Sequence, residues 1–222
     1  MHLPRRSRRK APPQRVARNS KTRSGSGRRV VPLLGAVDRG TGGSLIVGLG
    51  NPGRKYRGTR HNAGRDAADR LLESVDVLAR GKWPGGRVAL VAGSGARFLV
   101  LQPETFMNLS GSAVAPLLDR YGLKPEQMIV IHDDIDLPLG EVRTKEGGGT
   151  GGHRGLGSLA AVLGAQDFKR VRIGVGRPPA GVDPADYVLS PFEEAEKESA
   201  ERAIEQAARE ALAAITGADD GR

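Results

Sequence analysis

The twenty residues from Leu45 to Gly64, LIVGLGNPGRKYRGTRHNAG, constrain the fold more than any other part of the chain. They open on a short apolar run, Leu45 to Leu49, with the length and composition of a buried strand. Gly50-Asn51-Pro52-Gly53 then turns the chain off the sheet, because glycine admits backbone angles that other residues avoid and proline cannot donate a ladder hydrogen bond. A polar loop carrying Tyr56 and Arg60 ends at His61-Asn62. From there Ala63, Ala67, Ala68, Leu71, Leu72 and Val75 recur at helical spacing. Asn51 and His61 therefore sit on the loop between a first strand and a first helix. In an open α/β sheet such loops lie over the carboxyl ends of the strands, where ligands bind.

The alternation continues along the chain. Arg87–Ala92 and Arg97–Leu101 read as short strands, and Asn108 to Tyr121 as a helix through Val114, Leu117 and Leu118. Met128–His132 is an apolar strand and Gly140–Lys145 an exposed one. A helix from Gly152 to Leu163 is entered through a glycine loop. Arg170–Gly176 alternates Val171, Ile173 and Val175 with Arg170 and Arg172, a strand with one wet face, and a long Ala- and Glu-rich helix runs from Pro191 to about Ile215. Strands separated by helices predict an α/β layer fold with a mixed sheet. With 222 residues, 38% of them hydrophobic, a single domain over residues 44–222 can bury a full core.

The formal charge of +10 is unevenly spread. Residues 1–43 hold twelve Lys/Arg against one acid, Asp38, while the remaining 23 basic and 24 acidic residues nearly cancel. The globular part is not basic overall, so any affinity for RNA has to come from a local patch. Residues 1–43 are also rich in Ser, Gly and Pro with almost no apolar periodicity, and are expected to form a disordered basic extension. Three origins stay open for it: a start codon assigned too early or a plain flexible extension, an RNA-binding arm, or a transit peptide lacking the usual amphipathic pattern. The absence of cysteine excludes disulfides, thiol catalysis and cysteine-ligated zinc. No apolar run approaches the roughly 18 residues of a membrane span and no secretory segment is visible, so a soluble, cytoplasmic protein is expected.

Five motifs bear on chemistry. Gly48-Leu-Gly50-Asn-Pro-Gly53 satisfies the dinucleotide pattern on paper, but Pro52 and the polar loop delay the helix to His61, which leaves no helix terminus to hold a pyrophosphate. His61 reads either as a helix-capping imidazole or as a general base at the ligand edge. Asp133, Asp134 and Asp136 close a buried strand, as a solvated turn, a divalent metal site, or a carboxylate that orients a histidine. Gly147-Gly-Gly-Thr-Gly-Gly-His153-Arg154 is a tight crossover or a set of free N–H donors at a helix start, and no Gly-Lys-Ser/Thr follows to make it a P-loop. Pro103 to Gly111 starts a helix near Asn108, and no G-x-S-x-G occurs, against a serine-elbow hydrolase.

Taken together, VGLGNPG with Tyr56 and TRHNAG, TFMNLSG, HDDIDLP and GGGTGGH resemble, in order, the motifs of the bacterial-type peptidyl-tRNA hydrolases, from Leu45 to the last helix. The resemblance implies a single-domain three-layer sandwich, a twisted mixed sheet flanked by helices, acting as a monomer. It also implies hydrolysis of the ester joining a peptide to the tRNA 3′ end, without metal or cofactor. His61 would activate water, Asp133 would hold His61 in its basic form, and Asn51 would help distinguish peptidyl from aminoacyl ends. Tyr56, Phe106, Met107 and Asn108 would line the cleft for the terminal adenosine and first peptide units, and Arg143, Lys145, Arg170 and Arg172 would meet tRNA phosphates. The inventory agrees with the chemistry, since ester hydrolysis by water needs a base, an orienting carboxylate and amide donors for the oxyanion.

Three departures from the family pattern stand out. Arg154 replaces the usual asparagine after the glycine-loop histidine, and a larger, charged donor there either clamps a phosphate or carbonyl oxygen or obstructs the cleft. Glu146 stands where an apolar residue is common, and the family's C-terminal tail is short or missing. These keep open a second reading, a non-catalytic RNA-binding relative of the same fold compromised by Arg154. A nucleotide-dependent oxidoreductase built on Gly48–Gly53 is a third.

Overall fold

The computed structural model describes residues 43–93 and 95–216. The basic extension expected over residues 1–43 lies, all but Gly43, outside the described residues. Twelve principal elements follow one another: β1 (Leu45–Gly48), α1 (Ala63–Ser74), β2 (Asp76–Trp83), β3 (Gly86–Gly93), β4 (Ala96–Pro103), α2 (Ser110–Tyr121), β5 (Met128–Asp134), β6 (Val142–Glu146), α3 (Arg154–Leu163), β7 (Lys169–Gly174), α4 (Pro184–Val188) and α5 (Glu194–Thr216). The strands form one sheet in the order β2-β3-β4-β1-β5-β7-β6. β4, β1, β5 and β7 run parallel, while β2, β3 and β6 add antiparallel edges. The sheet is thus mixed, as the sequence predicts.

Alternation along β1 sets the layers. Leu45, Val47 and Leu49 face a core built with α2 and α3, through Val114, Leu117, Leu118, Leu156 and Leu159. Ile46 faces the opposite way, into a core with Ala67, Ala68 and Leu71 of α1 and Ala203, Ala207 and Ala211 of α5. A central strand buried on both faces reads as a continuous apolar run, which is why Leu45–Leu49 carries no polar alternation. The loops after β1 and β4 leave toward opposite layers and open a crevice at the carboxyl edge of the sheet.

Two elements escape the sequence pattern. β2 is an edge strand whose residues are all at least partly exposed; Leu78 sits on its wet side and Gly81 dilutes its dry side, so its alternation is weak. α4 has five residues, too few for a period, although Asp183 caps it by accepting from the Ala185 N–H at 2.7 Å and Pro184 fills its first turn.

Gly64 decides how near α1 comes to the sheet. A Cβ at this position would lie 2.2 Å from the carbonyl oxygen of Ile131 in β5, so only a glycine lets the helix approach that backbone. Gly48 plays the matching part on β1, where a Cβ would meet the Ala68 Cβ at 2.5 Å. These glycines belong to helix–sheet packing and not to a phosphate loop. Gly64→Ala is expected to push α1 off β5 and to lower stability by about 1–3 kcal/mol, the usual cost of overpacking, as read by urea denaturation. An unchanged midpoint would show that α1 is free to shift.

Candidate active site

The crevice is built from strand ends. Where β1 stops, the Asn51 N–H donates to Asn62 Oδ1 at 2.8 Å and Asn62 Nδ2 returns a bond to the Asn51 carbonyl at 3.2 Å, which ties the strand end to the turn before α1. Asn51 Oδ1 accepts from the Met107 N–H at 2.9 Å. An N–H can only donate, so the amide of Asn51 is oriented with its NH₂ left over. Asn51 lines the cleft, where that NH₂ is available to an acceptor.

His61 lies one residue before Asn62 in a single 3₁₀ turn, Arg60–Asn62, and its side chain caps nothing. Its Nδ1 instead sits 2.9 and 3.0 Å from the two carboxylate oxygens of Asp133, at the end of β5. Both groups are buried. With Nδ1–H donated to the carboxylate, the lone pair of His61 is on Nε2. Asp133 has a second imidazole partner, His153, whose Nε2 is 3.0 Å from Oδ1. Nδ1 of His153 accepts from the N–H groups of Gly155 and Leu156, at 3.1 and 3.2 Å, as the cap of α3. That capping fixes its tautomer: the proton is on Nε2 and points at Asp133. The capping role considered for His61 thus belongs to His153.

Burial by itself would raise the carboxyl of Asp133, but the close N–H groups of His153 and then of His61 outweigh it and hold the group well below the usual carboxylate range. Asp133 is therefore an anion fixed between two N–H donors. His61, Asp133 and His153 are also the one group among the described residues with the composition of a metal site, their ligand atoms lying within 4.8 Å of one another. The tautomer of His153 turns an N–H and not a lone pair toward the carboxylate, so the three are wired as a proton network. The other acids of the motif are engaged elsewhere, Asp134 with Arg172 at 2.8 Å and Asp136 with Arg177 at 2.7 Å, so the three carboxylates do not converge as a divalent metal site requires.

The cleft holds about 500 Å³. Tyr56, Phe106, Met107, Asn108 and Arg154 all line it. Phe106 is 53% exposed, an apolar surface free to stack, while Met107 is buried beneath it. Arg154 is exposed at the first turn of α3 with no ion pair among the described residues. The far wall is a segment that the sequence reading left unassigned, Asp183 to Leu189.

The four cations expected at tRNA phosphates lie on one face of the β6–β7 pair, with Arg143 opposite Arg172 and Lys145 opposite Arg170. One of them requires correction. Arg170 is buried and donates to the carbonyls of Gly148, Gly149 and Gln166 at 2.5, 2.6 and 3.3 Å, with its guanidinium 4.8 Å from the Phe168 ring. It holds the glycine loop rather than a phosphate, and the face expected to be wet is dry at that position. Arg172 is mostly covered and paired with Asp134. Arg143 and Lys145 are exposed. Glu146 reaches Lys169 at 3.4 Å, which gives the unexpected carboxylate a partner.

His132 is the site residue that sequence reasoning passed over. It is fully buried, donates from Nδ1 to the Asp133 carbonyl at 2.7 Å, and stands edge-on to His153 with ring centroids 5.0 Å apart. Burial, and then the proximity of His153, push its pKa down to about 3. An unfolded histidine titrates near 6.5, so between about pH 6.5 and 3 the unfolded chain binds one more proton and stability falls as pH drops. Asp66 works in the opposite sense below about pH 6, since burial and then Asp69 raise its carboxyl to about 6. The contribution of His132 is therefore isolated by His132→Asn, whose Nδ2 can keep the bond to the carbonyl. Wild type is expected to lose stability relative to this variant from pH 7 to pH 4 in urea denaturation series. A pH-independent difference would contradict the neutral His132.

The chain is similar to known proteins of one family. The family model described as Peptidyl-tRNA hydrolase matches residues 45–220. The peptidyl-tRNA hydrolase of Nocardia farcinica is 48% identical over 169 residues, covering 76% of this chain and 88% of that protein. The peptidyl-tRNA hydrolase of Halalkalibacterium halodurans is 43% identical over 174 residues, 76% of this chain and 91% of its own length. The crystal structure of peptidyl-tRNA hydrolase from Acinetobacter baumannii superposes with a TM-score of 0.72 at 34% identity, covering 80% of this chain and 90% of that one. The chain belongs to the peptidyl-tRNA hydrolase family.

Proposed function

We propose that this cleft cleaves the ester between a peptide and the 3′ end of tRNA, with His61 as the general base for water and Asp133 orienting it. The observation that carries the reading is the bond from His61 Nδ1 to Asp133, which leaves the Nε2 lone pair as the basic atom in the cleft that Asn51, with its unspent NH₂, also lines. Water gives a proton to Nε2 as its oxygen attacks the ester carbonyl carbon, and the imidazolium so formed faces an anion already in place. When the tetrahedral intermediate collapses, the ribose oxygen leaves and takes that proton, releasing free tRNA and the peptide carboxylate. The NH₂ of Asn51 is suited to a peptide carbonyl, a group that a free aminoacyl end lacks. Asn108 and the N–H groups of the glycine loop line the same cleft as donors to the oxyanion.

The terminal adenosine finds an exposed aromatic face on Phe106 and the ring of Tyr56. Arg143, Lys145 and Arg172, with Arg154 at the cleft, supply the local positive surface that a nearly neutral body needs for RNA. The reading includes a monomeric, cytoplasmic protein working without metal or cofactor, with residues 1–43 as an extension to the domain over 44–222. No helix among the described residues is long and apolar enough to cross a membrane. The second reading, an RNA-binding relative without turnover, draws on the unpaired charge of Arg154 in the cleft.

Incubation with an N-acetylated aminoacyl-tRNA separates the two. Wild type is expected to release tRNA, and His61→Ala to lower kcat by about 10²–10⁴-fold, the usual worth of a general base. Binding of the RNA without ester cleavage would leave only the second reading. In the same assay Arg154→Asn reports on the departure from the family: a rise of orders of magnitude would mark Arg154 as an obstruction, and a weaker KM as a phosphate clamp.

A further inference from the structure

We infer that Arg60 is a positioning residue that ties the far wall of the cleft, residues 183–189, to the turn that carries His61; the inference rests on the hydrolase reading above. The wall needs such a tie. α4 has five residues, none of them buried, so it has no apolar face to anchor it. Val188 of α4 and the flanking Asp183 and Leu189 nonetheless line the same cleft as His61.

Arg60 is 2% exposed, and its guanidinium meets Tyr187 of this segment and the residues that follow it directly. Nη1 donates to Ser190 Oγ at 2.7 Å, to the Pro191 carbonyl at 2.5 Å and to the Ser190 carbonyl at 3.4 Å, while Nη2 pairs with Glu196 at 2.5 Å. The cation also lies 4.2 Å from the Tyr187 ring centroid and 5.2 Å from that of Phe192. The backbone joins in, as the Arg60 N–H donates to the Ser190 carbonyl at 3.1 Å and Thr59 bridges to Pro191. Tyr187 fixes the other side of the segment by donating to the Val175 carbonyl at 2.8 Å. His61 is the next residue in the same turn, so one buried cation couples the base to the opposite wall across about 130 residues of sequence.

A planar fork with several donors and two stacked rings is a geometry that lysine cannot reproduce. Arg60→Lys is therefore expected to loosen the wall while the His61–Asp133 pair stays intact. With N-acetylated aminoacyl-tRNA, KM should rise about five- to tenfold with kcat within about twofold, and the pH profile of kcat/KM should keep its shape. Amide exchange over 184–191 should quicken while the amides of β1 and β5 keep their protection. Wild-type KM with wild-type exchange would overturn the inference, as would a loss confined to kcat with an altered pH profile. If Arg60→Lys does not fold, Glu196→Gln combined with Ser190→Ala removes the countercharge and the hydroxyl acceptor from a more exposed side, and a KM raised about threefold is then the expected result; unchanged KM and exchange would again overturn it. Wild type assayed alongside keeps the two readings apart: without cleavage by wild type the hydrolase reading fails, and the exchange data still judge the tie by themselves.

Discussion

A carboxylate taken out of water has to be compensated, and in this protein the compensation for Asp133 organises the site. Two imidazoles supply it, one from the turn after β1 and one from the end of the glycine loop. The anion in turn selects the tautomer of His61, so the basic nitrogen faces away from Asp133. Neither side chain has a satisfactory environment without the other, since breaking a buried pair leaves an uncompensated charge. The elements that meet here, β1, β5 and α3, are held in register by that requirement.

Packing makes the meeting possible. Gly64 brings α1 against the backbone of β5, and the turn that carries His61 comes with it. Arg170 serves the glycine loop in a similar way: its guanidinium gathers the carbonyls of Gly148, Gly149 and Gln166, and so holds the loop that delivers His153. The second case is a residue of a kind associated with ligand binding, an arginine among phosphate-facing cations, committed to the scaffold instead.

The charges of the site divide accordingly. Arg60 and Arg170 are buried and paired with protein acceptors, while Arg143 and Lys145 are exposed. A buried guanidinium whose Nη groups are spent on protein acceptors is out of reach of an anion; an exposed one is available and adds little to stability. The positive surface left for RNA is smaller than the count of basic residues in β6 and β7 suggests.

How far the sequence determined this protein can be read from particular residues. The apolar run Leu45–Leu49, the turn at Asn51–Gly53 and the periodic alanines after His61 dictate a strand, a loop and a helix, because burial and backbone geometry act over a few neighbouring residues. The same local logic places Asn51 and His61 on the loop between a strand and a helix and Asp133 at a strand end, and the resemblance of the motifs identifies their family. Edge strand β2 was not legible, because a half-exposed strand has little apolar contrast, and α4 was too short to show a period. The direction of Arg170, the pairing of His153 with Asp133, the burial of His132 and the contacts of Arg60 were decided only in three dimensions. Each depends on a partner 20 or more residues away or on the loss of water around the group, and neither quantity exists until the sheet and its two helical layers have closed.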